Sequence, residues 1–170
     1  YHAMKEAVEA LVLASAWGRS QTYIWLDYFS IPQKILETQN SAIRTIHLYS
    51  AFASAFLAVA PSVVHTDTRL LCNPTTYRNR LWCRAEIMAH FLLRGLEQMY
   101  IYDGIELNRM DEAWAHEALY VFEGDCTCCA RRHEGTNGVC DKQLLLQPVL
   151  SLYADLIMDD RGDQSRSAAL

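Results

Sequence analysis

The 170-residue sequence predicts an α/β fold built on a parallel sheet with helices covering both faces. Three observations carry that prediction. Short apolar runs at Tyr23–Phe29, at "FLAVA" (Phe56–Ala60) and at "MYIYDG" (Met99–Gly104) lack clean alternation, as strands buried on both faces do. Segments with apolar residues at helical spacing lie between these runs. Connections of that length imply right-handed crossovers, and therefore parallel neighbours.

Taken in order, Ala3–Ser15 places Met4, Val8, Leu11 and Val12 on one side and Lys5, Glu6 and Glu9 on the other, an amphipathic helix ended by Gly18. The first strand, Tyr23–Phe29, follows. Asn40 or Ser41 caps a second helix with Ile43, Ile46, Ser50 and Ala53 inward. "FLAVA" is a strand stopped by Pro61, and Ser62–Asn79 is a polar loop holding Pro74. A third helix from about Leu81 to Arg94 turns Met88, Phe91 and Leu92 inward and closes at Gly95. "MYIYDG" is a third strand with an Asp-Gly turn, giving a flavodoxin-like three-layer sandwich. Beyond it Asp111–Leu119 reads as a short helix, "YVFEG" as an edge strand, and residues 124–142 as a Cys-rich insertion. Leu144–Met158 is the last helix, with Pro148 near its first turn. One domain over 1–158 and a disordered polar tail over 159–170 are expected. A helix comes first where an alternating fold normally begins with a strand, so a leading strand is expected upstream of Tyr1.

Composition excludes several function classes. With 51% hydrophobic and 21% charged residues and a net charge of -5, the chain can bury a core and has no basic footprint for nucleic acid. Its longest apolar run, Ala51–Val64, is broken by Ser54 and Pro61 and falls short of the roughly 20 residues of a membrane span. No secretion signal opens it, so the default expectation is a cytoplasmic, reducing compartment.

Open parallel sheets bind ligands outside the carboxyl ends of their strands. Asp27–Gln33, Ala60–Val63, Asp103 and the start of the third helix should meet at that rim. Glu86 lies about a turn into that helix, with Trp82, Arg78, Arg80 and Arg84 nearby. The plain reading is an acid favoured by the helix dipole beside solvated ion pairs.

The segment "RLWCRAEI" resembles the Trp-Cys-x-x-Glu helix start of Toll/interleukin-1 receptor (TIR) domains, with Trp82, Cys83 and Glu86 in matching places. "YIWLDYFSIPQ" with "AIRTIHLYSAFASAFLAVAP" resembles the related fungal heterokaryon-incompatibility domain through Trp25, Asp27, Ile31, Gln33, Tyr49, Arg80, Trp82 and Glu86. The chain also resembles uncharacterised TIR-like proteins of algae and other protists. In the TIR pattern the position of Arg80, two residues before the tryptophan, is usually a serine. The resemblance implies either of two functions. In the first, Glu86 is the essential carboxylate of an NAD+ hydrolase cutting the nicotinamide–ribose bond. Arg80 and Arg84 then face the pyrophosphate, and Trp25, Asp27, Tyr28 and Trp82 complete the substrate site. In the second, the domain is non-catalytic and self-associates, or binds other TIR-like domains, through the loop carrying Pro32.

The six cysteines support a separate expectation. Cys126, Cys128, Cys129 and Cys140 crowd a short segment with His133. Cys128 or Cys126 with Cys129, His133 and Cys140 supplies the four ligands of a structural zinc ion. The alternative is a set of free thiols or packing cysteines.

Overall fold

The computed structural model describes residues 2–167 except 16, 33 and 134–138, with the side chains of 28, 36, 51 and 159–167 also outside the description. The elements run α1 (His2–Ala14), a 3-10 turn (Arg19–Gln21), α2 (Asp27–Ser30), α3 (Leu36–Arg44), α4 (Ile46–Phe52), β1 (Phe56–Val59), β2 (Val63–Val64), β3 (Leu71–Cys72), α5 (Pro74–Asn79), α6 (Leu81–Arg94), β4 (Met99–Tyr102), β5 (Leu107–Arg109), α7 (Glu112–Ala118), a 3-10 turn (Val121–Glu123), α8 (Thr127–Ala130) and α9 (Asp141–Ser167). This is a mixed α/β architecture. Its main sheet has the order β1-β4-β5, with β1 and β4 parallel and β5 antiparallel to β4.

The two strands "FLAVA" and "MYIYDG" form as predicted and pair with each other in register, Phe56 against Met99 through Val59 against Tyr102. Alternation along β4 divides its contacts. Met99 and Ile101 join Ala58 of β1 and Leu81, Ile87 and Met88 of α6 in one core, whereas the Tyr102 hydroxyl donates to Glu6 of α1 at 3.5 Å. The β4–β5 hairpin needs its glycine: Gly104 has φ +101, and a Cβ there would lie 2.9 Å from Pro61 Cβ. Asp103 Oδ1 accepts from the backbone N–H of Ile105 and Glu106, closing the turn.

Helix α6 matches its predicted span, ending where Gly95 adopts φ +78. It is the central element of the core: Leu81, Ile87 and Met88 are buried with Leu145 and Leu152 of α9. Among the described residues no helix is long and apolar enough to cross a membrane.

Five expectations are corrected. Tyr23–Phe29 is not a strand; residues 22–26 are extended without a ladder partner, Tyr23 is 93% exposed, and Asp27 instead opens α2. The second helix starts earlier, at Leu36, and divides at Thr45, whose hydroxyl donates to the Ser41 and Ala42 carbonyls. The loop 62–79 holds the β2–β3 hairpin and α5, the latter started by Pro74 inside a reciprocal capping box of Asn73 and Thr76. "YVFEG" is a 3-10 turn, and the antiparallel edge strand is β5. Helix α9 begins at Asp141, which leaves Pro148 inside the helix and the carbonyl one turn before it without its usual donor.

Two buried histidines tie stability to pH. His90 Nδ1 lies 3.0 Å from the Ser50 carbonyl, which can only accept, so Nδ1 carries the proton and Nε2 is left without a hydrogen-bond partner. Burial holds His90 and His47 below the ordinary imidazole pKa, partly offset by the Ser50 carbonyl and by Asp155 respectively. A lowered folded-state pKa means that the unfolded chain binds more protons. The stabilisation is fully present above about pH 6.5 and is lost as pH falls toward the folded-state values. Thermal melts between pH 7 and pH 5 should therefore show a fall in Tm that His90→Gln, still able to donate to Ser50, makes shallower. An unchanged slope would exclude His90 as a source of the acid sensitivity.

Candidate functional site

The site is assembled from three separated stretches of chain. Arg80 ends α5 and begins α6 in extended conformation (φ -75, ψ 134), so the chain turns sharply there and α6 starts afresh. Glu86 falls in the second turn of α6 and is half-buried. Burial first, and the charge of Asp27 second, push its carboxyl up to about 8, while Arg80 opposes the shift. Asp27, the first residue of α2, is thus an electrostatic neighbour of Glu86 although the two are 59 positions apart in the sequence.

Around this pair stand groups that burial keeps neutral. Cys83 is buried, and its thiol is pushed up to about 12 by that burial and by the charge of Glu86. The Tyr77 hydroxyl is held well above the ordinary phenol range, chiefly by burial and then by the neighbouring Cys83 and Glu86. The third stretch contributes aromatic surface. Trp25 and Tyr49 stack with ring centroids 4.8 Å apart and planes 14° from parallel, each still 40% exposed. Together these side chains give a carboxylic acid poised near neutral pH, a second carboxylate, a guanidinium and an open aromatic face. A group of that kind can stabilise a cation or trade a proton at pH 7–8.

Glu86 thus feels the charges of Asp27 and Arg80, and Trp25, two residues before Asp27, stacks on Tyr49. Arg84 is engaged elsewhere: its guanidinium donates to the carbonyls of Arg78 (3.0 Å), Tyr120 (3.2 Å) and Glu117 (3.4 Å), tying α6 to the end of α7. Arg78 pairs with Glu117 at 2.7 Å and lies over the Trp114 ring. Trp82 is half-buried against the core. Pro32 is exposed just after buried Ile31. The side chain of Tyr28 and the whole of Gln33 lie outside the described residues. Tyr77 was not among the sequence candidates. Its place one and a half helical turns before Cys83 carries no signal until the break at Arg80 is known.

A second centre lies at the start of α9. The sulfurs of Cys126, Cys128, Cys129 and Cys140 are all within 4.8 Å of one another. Cys128 Sγ is 3.2 Å from Cys126 Sγ and 3.8 Å from Cys140 Sγ, and Cys129 Sγ is 3.6 Å from Cys140 Sγ. His133 Nε2 sits 3.6 Å from Cys129 Sγ, at the rim of the cluster. The spacing expected from sequence thus converges in space, and Cys126 joins the set. No family model, curated protein or solved structure matches the chain.

Proposed function

We propose that the chain is a TIR-like signalling domain of flavodoxin-like design, acting in the cytoplasm, that cleaves NAD+ at the nicotinamide–ribose bond with Glu86 as its carboxylate. The observation that carries this reading is the half-buried Glu86 carboxyl under the influence of Asp27 and Arg80, the former from a stretch far away in sequence. Breaking the glycosidic bond sends its electron pair to the pyridinium nitrogen, so nicotinamide leaves neutral and the positive charge passes to the ribose as an oxocarbenium ion. The ionised Glu86 carboxylate stabilises that cation. Water then adds to the anomeric carbon and releases a proton, yielding ADP-ribose. The cationic pyridinium itself favours ionisation of Glu86 on binding, because an opposite charge nearby lowers a carboxyl pKa. Arg80 supplies charge for the diphosphate, and the exposed Trp25–Tyr49 face supplies an apolar wall for a ring. The test is nicotinamide release from NAD+ by the purified chain, followed by chromatography, at dilute and at high protein concentration. Absence of release under both conditions overturns the reading.

A second reading has its own observation. Phe29, Ile35 and Phe52 are 77%, 60% and 82% exposed, and Pro32 lies between Phe29 of α2 and Ile35 at the start of α3. Large apolar side chains so placed suit association with a second copy or another TIR-like domain, without catalysis. In that case sedimentation should reveal concentration-dependent assembly, and Pro32→Asp with Phe29→Ser should weaken it by roughly tenfold or more, about 1.4 kcal/mol. A chain that stays monomeric at all concentrations removes this alternative.

A further inference from the structure

We propose that Cys126, Cys128, Cys129 and Cys140 hold one structural zinc ion, and that this ion fastens the segment after α7 to the start of α9. A tetrahedron of thiolates around zinc, with Zn–S bonds of about 2.3 Å, has sulfur–sulfur edges of about 3.8 Å. The cluster already approaches that figure: three of its contacts are 3.2, 3.6 and 3.8 Å, and none of its sulfur pairs exceeds 4.8 Å. Small adjustments close it. The neighbouring residues Cys128 and Cys129 both contribute because the short helix α8 turns one inward, where it is buried, and leaves the other exposed, yet both reach Cys140.

The surroundings suit bound thiolates. The Asp141 backbone N–H donates to Cys128 Sγ at 3.2 Å, and Cys140 immediately precedes α9, whose first N–H groups carry positive charge. Soft sulfur ligands in a tetrahedron select zinc over the oxygen-seeking cations. Four protein ligands leave no open position, so the role is structural and not catalytic.

The far end of α8 stands at the surface. Arg131, Arg132 and His133 are exposed, and Arg132 and His133 have φ of 51° and 62°. On its other side Asp125 bridges to Arg80, and its carbonyl accepts from Leu81 N–H at 2.9 Å. The ion thereby joins the beginning of α6, which carries Glu86, to the beginning of α9, which closes the core. This follows from the cysteines alone and stands whether or not Glu86 cleaves NAD+.

The full chain, purified with zinc in the medium, should contain about one zinc per molecule by elemental analysis. Cobalt substitution should produce the intense visible ligand-field bands of a tetrahedral thiolate site. The four cluster thiols should resist alkylation until a chelator is added. Cys126→Ser and Cys140→Ser should each weaken zinc binding by roughly 100-fold or more, whereas Cys72→Ser should not change it. Thiol counts and cobalt spectra on the unaltered chain remain decisive even where a variant fails to fold. The proposal is overturned by a chain that takes up no zinc or cobalt, or by mass loss showing a disulfide among the four cysteines. It is overturned equally if His133→Ala releases the metal and Cys126→Ser does not.

Discussion

Glu86→Gln is expected to lower NAD+ cleavage by about 10²–10³-fold or more while leaving the fold intact, because amide and acid have the same shape and only the ionised acid can stabilise an oxocarbenium ion. Stability should move in the opposite direction at alkaline pH. Burial and Asp27 raise the Glu86 carboxyl to about 8, so the folded chain keeps a proton that the unfolded chain releases from about pH 4.5 upward. Wild-type stability therefore declines between about pH 4.5 and pH 8 and levels off above, by no more than a few kcal/mol. Gln cannot ionise, so the variant should lack this decline and melt higher than wild type near pH 8. The rate should have the same signature. In the free enzyme kcat/KM should rise with pH to a plateau above about 8. Asp27→Asn, by removing a repelling charge, should move the inflection down, and Arg80→Gln should move it up. Turnover that survives Glu86→Gln would remove Glu86 from the chemistry. An inflection indifferent to Asp27 would remove Asp27 from its surroundings.

What could be read from the sequence follows a physical division. β1, β4 and α6 were legible because each carries its own boundary: Pro61 after β1, the Asp103–Gly104 turn after β4, Gly95 after α6. Residues Tyr23–Phe29 have the composition of a strand but fail as one, since a strand exists only where a neighbour takes its N–H and C=O groups. Among the described residues the main sheet consists of β1, β4 and β5, and Tyr23–Phe29 pairs with none of them. Glu86 and Asp27 were expected at one rim from the strand-end rule, but the element that brings Asp27 there was not legible. That element is α2, a helix four residues long whose existence no periodicity could indicate. The same holds for the cysteines. A Cys-x-Cys-Cys spacing permits several ligand sets and offers Cys126 and Cys128 as alternatives, whereas in space the sulfurs of both lie in one cluster with Cys129 and Cys140.

The passage of the chain beside Leu81 gives the largest stability effect expected of a single methyl group. Gly124 has φ -65 and ψ 153, a conformation any residue adopts, so its requirement is spatial and not conformational. A Cβ at this position would lie 2.9 Å from both Cα and N of Leu81 and 3.1 Å from Arg84 Cδ. The Arg84 side chain can yield only by disturbing its donation to three carbonyls, and the Leu81 backbone is the first turn of the central helix. Gly124→Ala must therefore push residues 124–126 away from α6, stretching the 2.9 Å bond from Leu81 N–H to the Asp125 carbonyl. That bond satisfies one of the N–H groups that every helix start leaves without an internal partner. Overpacking and a weakened buried hydrogen bond together should destabilise the chain by about 2–4 kcal/mol, a fall in Tm of roughly 5–15 °C for a domain of this size. Gly18→Ala is the matched control. Its φ is -75, and the nearest atom to an added Cβ is Ser20 Oγ at 4.0 Å, so its Tm should stay within about 2 °C of wild type. If the two variants melt alike, the close approach of Gly124 to Leu81 does not hold the segment. If Gly124→Ala melts low and also loosens zinc, the packing at Leu81 and the thiolate cluster are parts of one fastening beneath Glu86.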